Sequence, residues 1–272
     1  MRRDESNVDN EKRGKLLLLA GIVALSIFVY KVSLKESLPI WRVYVDAGIY
    51  FVGVFIGLLW SLNFQVKKKS ILFITQAALF VVSESLFVDL FFFQKFNRIY
   101  EAFILLLLVI AVFFATYFVF LMVNTLNVNL FKPIPLVQVG RTISYLSSIF
   151  MLYFFTFSFL ASGFPVYLLF PLLLLVYFVI PLLHYMNIEI EGAELFRKSI
   201  ITGLIMLISL VGIMFSGNSH EIISLVPVVG YYFSVNTVTH EKISSGLVKH
   251  IGLYILMLIL IISAIFIVNI KG

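Results

Sequence analysis

The sequence contains no cysteine, and only 12% of its residues are charged. Without cysteine there is no disulfide, thiolate nucleophile, iron–sulfur cluster or cysteine-based zinc site. Charge this sparse excludes an ordinary soluble domain, which carries ~25% charged residues to cover a water-facing surface. Also missing are the G-x-x-x-x-G-K-[ST] phosphate loop and the dinucleotide fingerprint, so an ATP-driven pump would need a separate ATPase subunit. All loops are short, which leaves no separate soluble domain, and no internal repeat is visible.

What is present is apolar. Hydrophobic residues make up 61% of the 272 positions. They fall in long runs, with the charges gathered between them, which is the pattern of membrane spans and loops. The expected fold is an all-α polytopic helical bundle with about eight or nine transmembrane helices and no soluble domain. Residues 1–15 mix charges closely and are expected to form a disordered cytoplasmic tail. Residues 16–272 are expected to form a single transmembrane helical domain.

The apolar run Leu16–Tyr30 follows the tail at once, and without a small-residue cleavage pattern it reads as a retained first span. Further spans are expected near 43–65, 71–93, 101–130, 143–161, 164–186, 199–216, 222–238 and 250–270. Most meet the ~20 residues needed to cross ~30 Å of hydrocarbon. The 222–238 segment is the weakest, being short and interrupted by Pro227 and Gly230. If it is re-entrant or interfacial, the C-terminus changes sides.

With nine spans, 14 of the 20 lysines and arginines fall on the side of the N-terminus and 6 on the other. That asymmetry places the N-terminus in the cytoplasm, in what is expected to be a prokaryotic cytoplasmic membrane. It also accounts for the net charge of +6 without a nucleic-acid partner, because no basic folded surface exists outside the spans. The expected partners are the lipid bilayer and a membrane protein or a second copy.

Within the spans, a few residues carry chemistry or close packing. Gly53 and Gly57 form a G-x-x-x-G pair, which lets helix backbones approach closely. Asp46, Tyr50, Gly53 and Gly57 are spaced to share one helical face, which directs Asp46 towards protein rather than lipid. The third span carries Gln76, Ser83, Glu84, Ser85 and Asp89. At ~1.5 Å per residue, Glu84 lies about 20 Å along it, past the midplane. An ionised carboxylate there costs at least about 2.5–3.5 kcal/mol, so it is expected to be protonated, paired or facing water.

Arg42, Asp46, Asp89, Arg98 and Glu101 collect near the predicted outer face, where they could line a polar vestibule with Glu84 as its deepest group. Solvated charge at helix ends is the plainer alternative, and Arg98 with Glu101 has the spacing of a local ion pair. His184, His240 and His250 fall near the predicted inner face. The His–Glu dipeptides at 220 and 240 do not form H-E-x-x-H, and neither a metal nor a cofactor is expected. Interfacial histidines of this kind could instead sense pH. Pro171, Pro181 and Pro227 are expected to kink their helices.

Three function classes fit these residues. The first is a transporter or permease, with Glu84 and Asp46 binding a proton, a cation or a small solute inside the bundle. The second is an intramembrane enzyme on a lipid or lipid-linked substrate, with acidic residues as base and Arg42 or Arg98 holding a phosphate. The third is a non-catalytic scaffold subunit of a membrane complex. The buried carboxylate and kinked helices favour transport.

Overall fold

A computed structural model describes residues 3–33, 39–92, 101–131, 135–214, 219–239 and 246–271. All regular structure among the described residues is helical. The helices are α1 (Arg3–Ser33), α2 (Ile40–Ser61), α3 (Lys68–Phe87), α4 (Glu101–Phe131) and α5 (Val137–Ala161). They continue with α6 (Val166–Asn187), α7 (Gly192–Met214), α8 (His220–Ile223), α9 (Leu225–Thr239) and α10 (Gly246–Lys271). A π turn over Val88–Phe92 extends α3.

Among the described residues, six helices are long and apolar enough to cross a membrane: 40–61, 68–91, 103–131, 137–161, 166–187 and 192–214. What they expose confirms their solvent. On α2 the outward stripe is Val45, Ile49, Val52, Ile56 and Trp60, at helical spacing. On α4 it is Phe103, Leu106, Leu107, Ile110, Phe114 and Phe118. Water-facing surfaces rarely expose apolar stripes of this length, whereas lipid requires them. The chain is an integral membrane protein.

The ends of the chain differ from the sequence expectation. α1 starts at Arg3, so residues 3–15, expected to be disordered, are helical. Local and tertiary contacts hold this segment. Glu11 and Lys15 pair at 2.6 Å one turn apart, and the Lys15 hydrogen bond and charge lower the Glu11 pKa. Lys12 and Lys15 also reach the α2–α3 turn, donating to Gln65 Oε1 at 2.9 Å and Asn63 Oδ1 at 2.7 Å. The expected 222–238 span is two helices, α8 and α9, with a break at Ser224, and neither has the length to cross. Pro227 sits in the first turn of α9, where a missing N–H breaks no helical bond. Pro171 and Pro181 both lie inside α6.

Packing divides the chain into two compact units, residues 1–147 and 148–272. In the first unit, α1 packs on α2 and α4, and α3 packs on the same two helices. Each helix of this set of four therefore has two neighbours, and α3 is the most deeply enclosed, with 67% of its spanning window buried. In the second unit, α6 packs on α7, α7 on α9, and α9 on α10.

Glycines allow close approaches in both units. A Cβ on Gly57 would lie 2.6 Å from Leu19 Cδ1 of α1, so this position seats α1 on α2. Gly53, its G-x-x-x-G companion, has nothing within 4 Å of such a Cβ and is exposed. In the second unit a Cβ on Gly203 would meet the Tyr177 carbonyl oxygen at 2.8 Å, and one on Gly230 would meet Met206 Cα at 3.3 Å. These bring α7 against α6 and α9 against α7.

Candidate functional site

α3 is apolar enough to enter the bilayer yet carries its polar residues inward. Ser70, Gln76, Ser83, Glu84, Ser85 and Asp89 are all buried. A polar group in a span is tolerated when a neighbouring helix or its own backbone satisfies it. Ser83 and Ser85, on either side of Glu84, donate to the Phe80 and Val82 carbonyls of their own helix. They are therefore committed to α3.

Glu84 is bound from another helix. Its side chain is 4% exposed, and Glu84 Oε2 accepts a hydrogen bond from Thr116 Oγ1 of α4 at 2.8 Å. Thr116 is itself fully buried. The partner is a neutral hydroxyl and not a cation, so this contact does not compensate a negative charge. One turn later, the π turn shifts the helical register at Asp89, which is also buried. Turns of this kind inside α-helices are frequent at functional sites.

Two further buried networks tie α3 into the first unit. Gln76 Nε2 donates to the Ser144 carbonyl at 3.0 Å and to Ser147 Oγ at 3.1 Å, and Gln76 Oε1 accepts from Ser144 Oγ at 3.2 Å. These bonds bring in the first turns of α5. Nearer the start of α3, Ser70 Oγ accepts from the Lys67 N–H at 3.0 Å and donates to Asn127 Oδ1 of α4. Asn127 Nδ2 in turn donates to the Gln65 carbonyl at 3.0 Å. α3 is thus pinned at its start, and again at Gln76 and Glu84.

The remaining sequence candidates are placed as follows. Asp46 is half-buried on α2, and its Oδ2 is buried with no hydrogen-bond donor among the described residues. Arg42, one turn earlier, is exposed. Glu84 bonds to Thr116 and not to Asp46 or Asp89. Arg98 lies outside the described residues, and the same is true of the Glu101 side chain, although Glu101 begins α4. The vestibule they were expected to line therefore lies partly outside the described residues.

His184 is buried in α6, its ring 5.9 Å from that of Tyr231 on α9 and edge-on to it. His220 begins α8, while His240 and the His250 side chain lie outside the described residues. Among the described residues no three histidines or carboxylates gather in a way that could hold a metal.

Sequence reasoning missed Thr116. The signal was present, because Thr116 interrupts a run from Ala102 to Val123 that is otherwise apolar apart from Tyr117. It also missed the interhelical hydroxyl pairs of the second unit, Thr156–Tyr177 at 2.9 Å and Tyr185–Thr202 at 2.8 Å. No family model, curated protein or solved structure matches the chain.

Proposed function

We propose that the chain is a permease-type transporter for a proton, a cation or a small solute, with Glu84 as the group that binds and releases the transported charge. One observation carries this reading. Glu84 is a buried carboxyl inside a spanning helix, and among the described residues the partner it has is a single neutral hydroxyl. Intramembrane ionisable groups face the bundle interior and mark ion or proton paths. A carboxyl held this way exchanges a proton or a cation with a path through the first unit, and Thr116 keeps it oriented while it does so. The π turn and Asp89 directly beyond it continue the polar run on α3.

The reading includes a crossing count. The apolar stretch of α1 from Leu16 to Val29 and that of α10 from Ile251 to Ile267 add two crossings to the six, giving eight. With α8 and α9 not crossing, Lys242 and Lys249 change sides and Lys271 returns, and the basic majority stays with the N-terminus. The N-terminus is then cytoplasmic by the positive-inside rule.

The test is proton flux through the purified protein in sealed vesicles, with an imposed pH gradient and an entrapped pH-sensitive dye. Glu84→Gln should abolish the flux, while its thermal midpoint in detergent stays near that of the wild type. Flux that persists in Glu84→Gln at the wild-type rate would reject the role of Glu84. An absence of flux in the wild type would reject the proton as cargo and move the assay to monovalent cations.

A further inference from the structure

At one end of the first unit, the folding of α1, the α2–α3 turn and the end of α4 gathers cations that the sequence keeps far apart. Lys12 is buried, and its ammonium donates to Gln65 Oε1 at 2.9 Å. Lys15 donates to Asn63 Oδ1 at 2.7 Å and lies 5.3 Å above the Trp60 ring. Lys67 donates to the Leu130 carbonyl and lies 4.5 Å above the Phe131 ring. Lys67, Lys68, Lys69 and Arg13 are exposed around this knot. On these segments the acid among the described side chains is Glu11, and Lys15 already holds it at 2.6 Å.

The turn is built to a fixed shape. Asn63 and Phe64 both take left-handed backbone conformations, with φ of 54° and 56°. Asparagine tolerates this region, but a phenylalanine there is uncommon and needs outside support. Support comes from Lys12, Lys15 and Asn127, all bonded to the turn. The result leaves Phe64 66% exposed, beside Trp60 at 43% and Phe131 at 56%. Aromatic rings exposed at a span end belong to the headgroup level of the bilayer. Lysines that lie over these rings hold their charge at the same level.

We propose that this end of the first unit binds the headgroup of an anionic phospholipid. The aromatic rings enter the acyl boundary and position the patch, while Arg13 and Lys68 meet the phosphate. An excess of cations at the membrane surface attracts acidic lipid at about 1 kcal/mol per charge. The rings place the anion at the lipid surface, which favours a phospholipid over a dissolved anion. This inference does not depend on Glu84 or on transport.

The test uses the full chain in nanodiscs of phosphatidylcholine with a minor fraction of phosphatidylglycerol, and native mass spectrometry to read the lipid retained. Wild-type protein should retain phosphatidylglycerol above its share of the bilayer, and less of it as salt is raised. The double variant Arg13→Gln, Lys68→Gln should lower that enrichment at least about tenfold, given the worth of each surface charge. Lys68→Glu alone should lower it as well, which guards against misfolding of the double variant, and Arg197→Gln in the second unit should not. Enrichment unchanged in the double variant overturns the proposal. So does competition by inorganic phosphate at matched ionic strength, which would mark the site as one for a dissolved anion.

Discussion

Thr116 Oγ1 and Glu84 Oε2 meet at 2.8 Å between α4 and α3, from positions 32 residues apart. Both side chains are buried, so each is the other's alternative to an unsatisfied polar group. The pair joins two spanning helices and also sets the direction in which the carboxyl points. Stability and the role proposed for Glu84 therefore meet at one contact, and variants can separate them.

Thr116→Val keeps the side-chain shape and removes the donor. It should destabilise the first unit by about 1–3 kcal/mol, the cost of leaving a buried polar group unmade. Glu84→Gln retains an acceptor oxygen for Thr116 and should cost less. Unfolding in mixed micelles reads both, and a Thr116→Val protein as stable as the wild type would show that the bond contributes nothing to stability.

The two glycines of the G-x-x-x-G pair should respond differently. Gly57→Leu drives a side chain into Leu19 and should separate α1 from α2, whereas Gly53→Leu enters open space and should be tolerated. Because the obstacle at Gly57 is the flexible end of Leu19, Leu19→Ala should restore part of the lost stability in Gly57→Leu. Thermal midpoints of the two single variants and the double variant decide this. Equal losses at the two glycines would contradict the asymmetry.

Gly203→Ala should cost more than a single methyl usually does. Its Cβ would stand 2.8 Å from the Tyr177 carbonyl oxygen, and backbone cannot swing aside as the end of a leucine can. A loss of about 1–3 kcal/mol is expected from overpacking. Gly230→Ala, with Met206 Cα at 3.3 Å, should lose less. A reversed order in thermal unfolding would place the tighter α7 contact on α9.

Gln76→Leu should loosen α5 from α3 by roughly 0.6 kcal/mol, and by no more than about 1.7 kcal/mol, for each bond lost, the mean and maximum for interhelical hydrogen bonds within membranes. Gln76 and Ser147 share a bond at 3.1 Å, so combining Gln76→Leu with Ser147→Ala should cost less than the two losses added. Strict additivity in unfolding measurements would mean that the pair is not coupled.

The membrane helices were legible because their cause is local. A run such as 101–130 must be helical in lipid whatever it packs against, since no water is present to satisfy its backbone. Glu84 stood out for the same reason, as a carboxyl in an apolar run. Its partner did not, because one threonine in a span carries no sign of which helix it faces. The two glycines read as equivalent in sequence, yet the structure places a neighbour at Gly57 and none at Gly53. Gly203 lacks a G-x-x-x-G companion and passed unnoticed, and Gly230 read only as an interruption, although both mark close helix contacts of the second unit.

The charged first turns show the same division between local and distant causes. Composition alone argues for disorder at residues 1–15, but Lys12 and Lys15 find acceptors about 50 positions away, on the turn that follows α2. By itself, the sequence determined that this chain is helical, lies in a membrane and holds a carboxyl within it. Those properties follow from the cost of exposing backbone and charge to lipid, which depends on each segment alone. Only the tertiary structure decided that Thr116 meets Glu84, that Gly57 and not Gly53 seats a helix, and that distant lysines converge on one turn. Such pairings depend on how the helices rotate and register against one another, and that is set by packing across the whole unit.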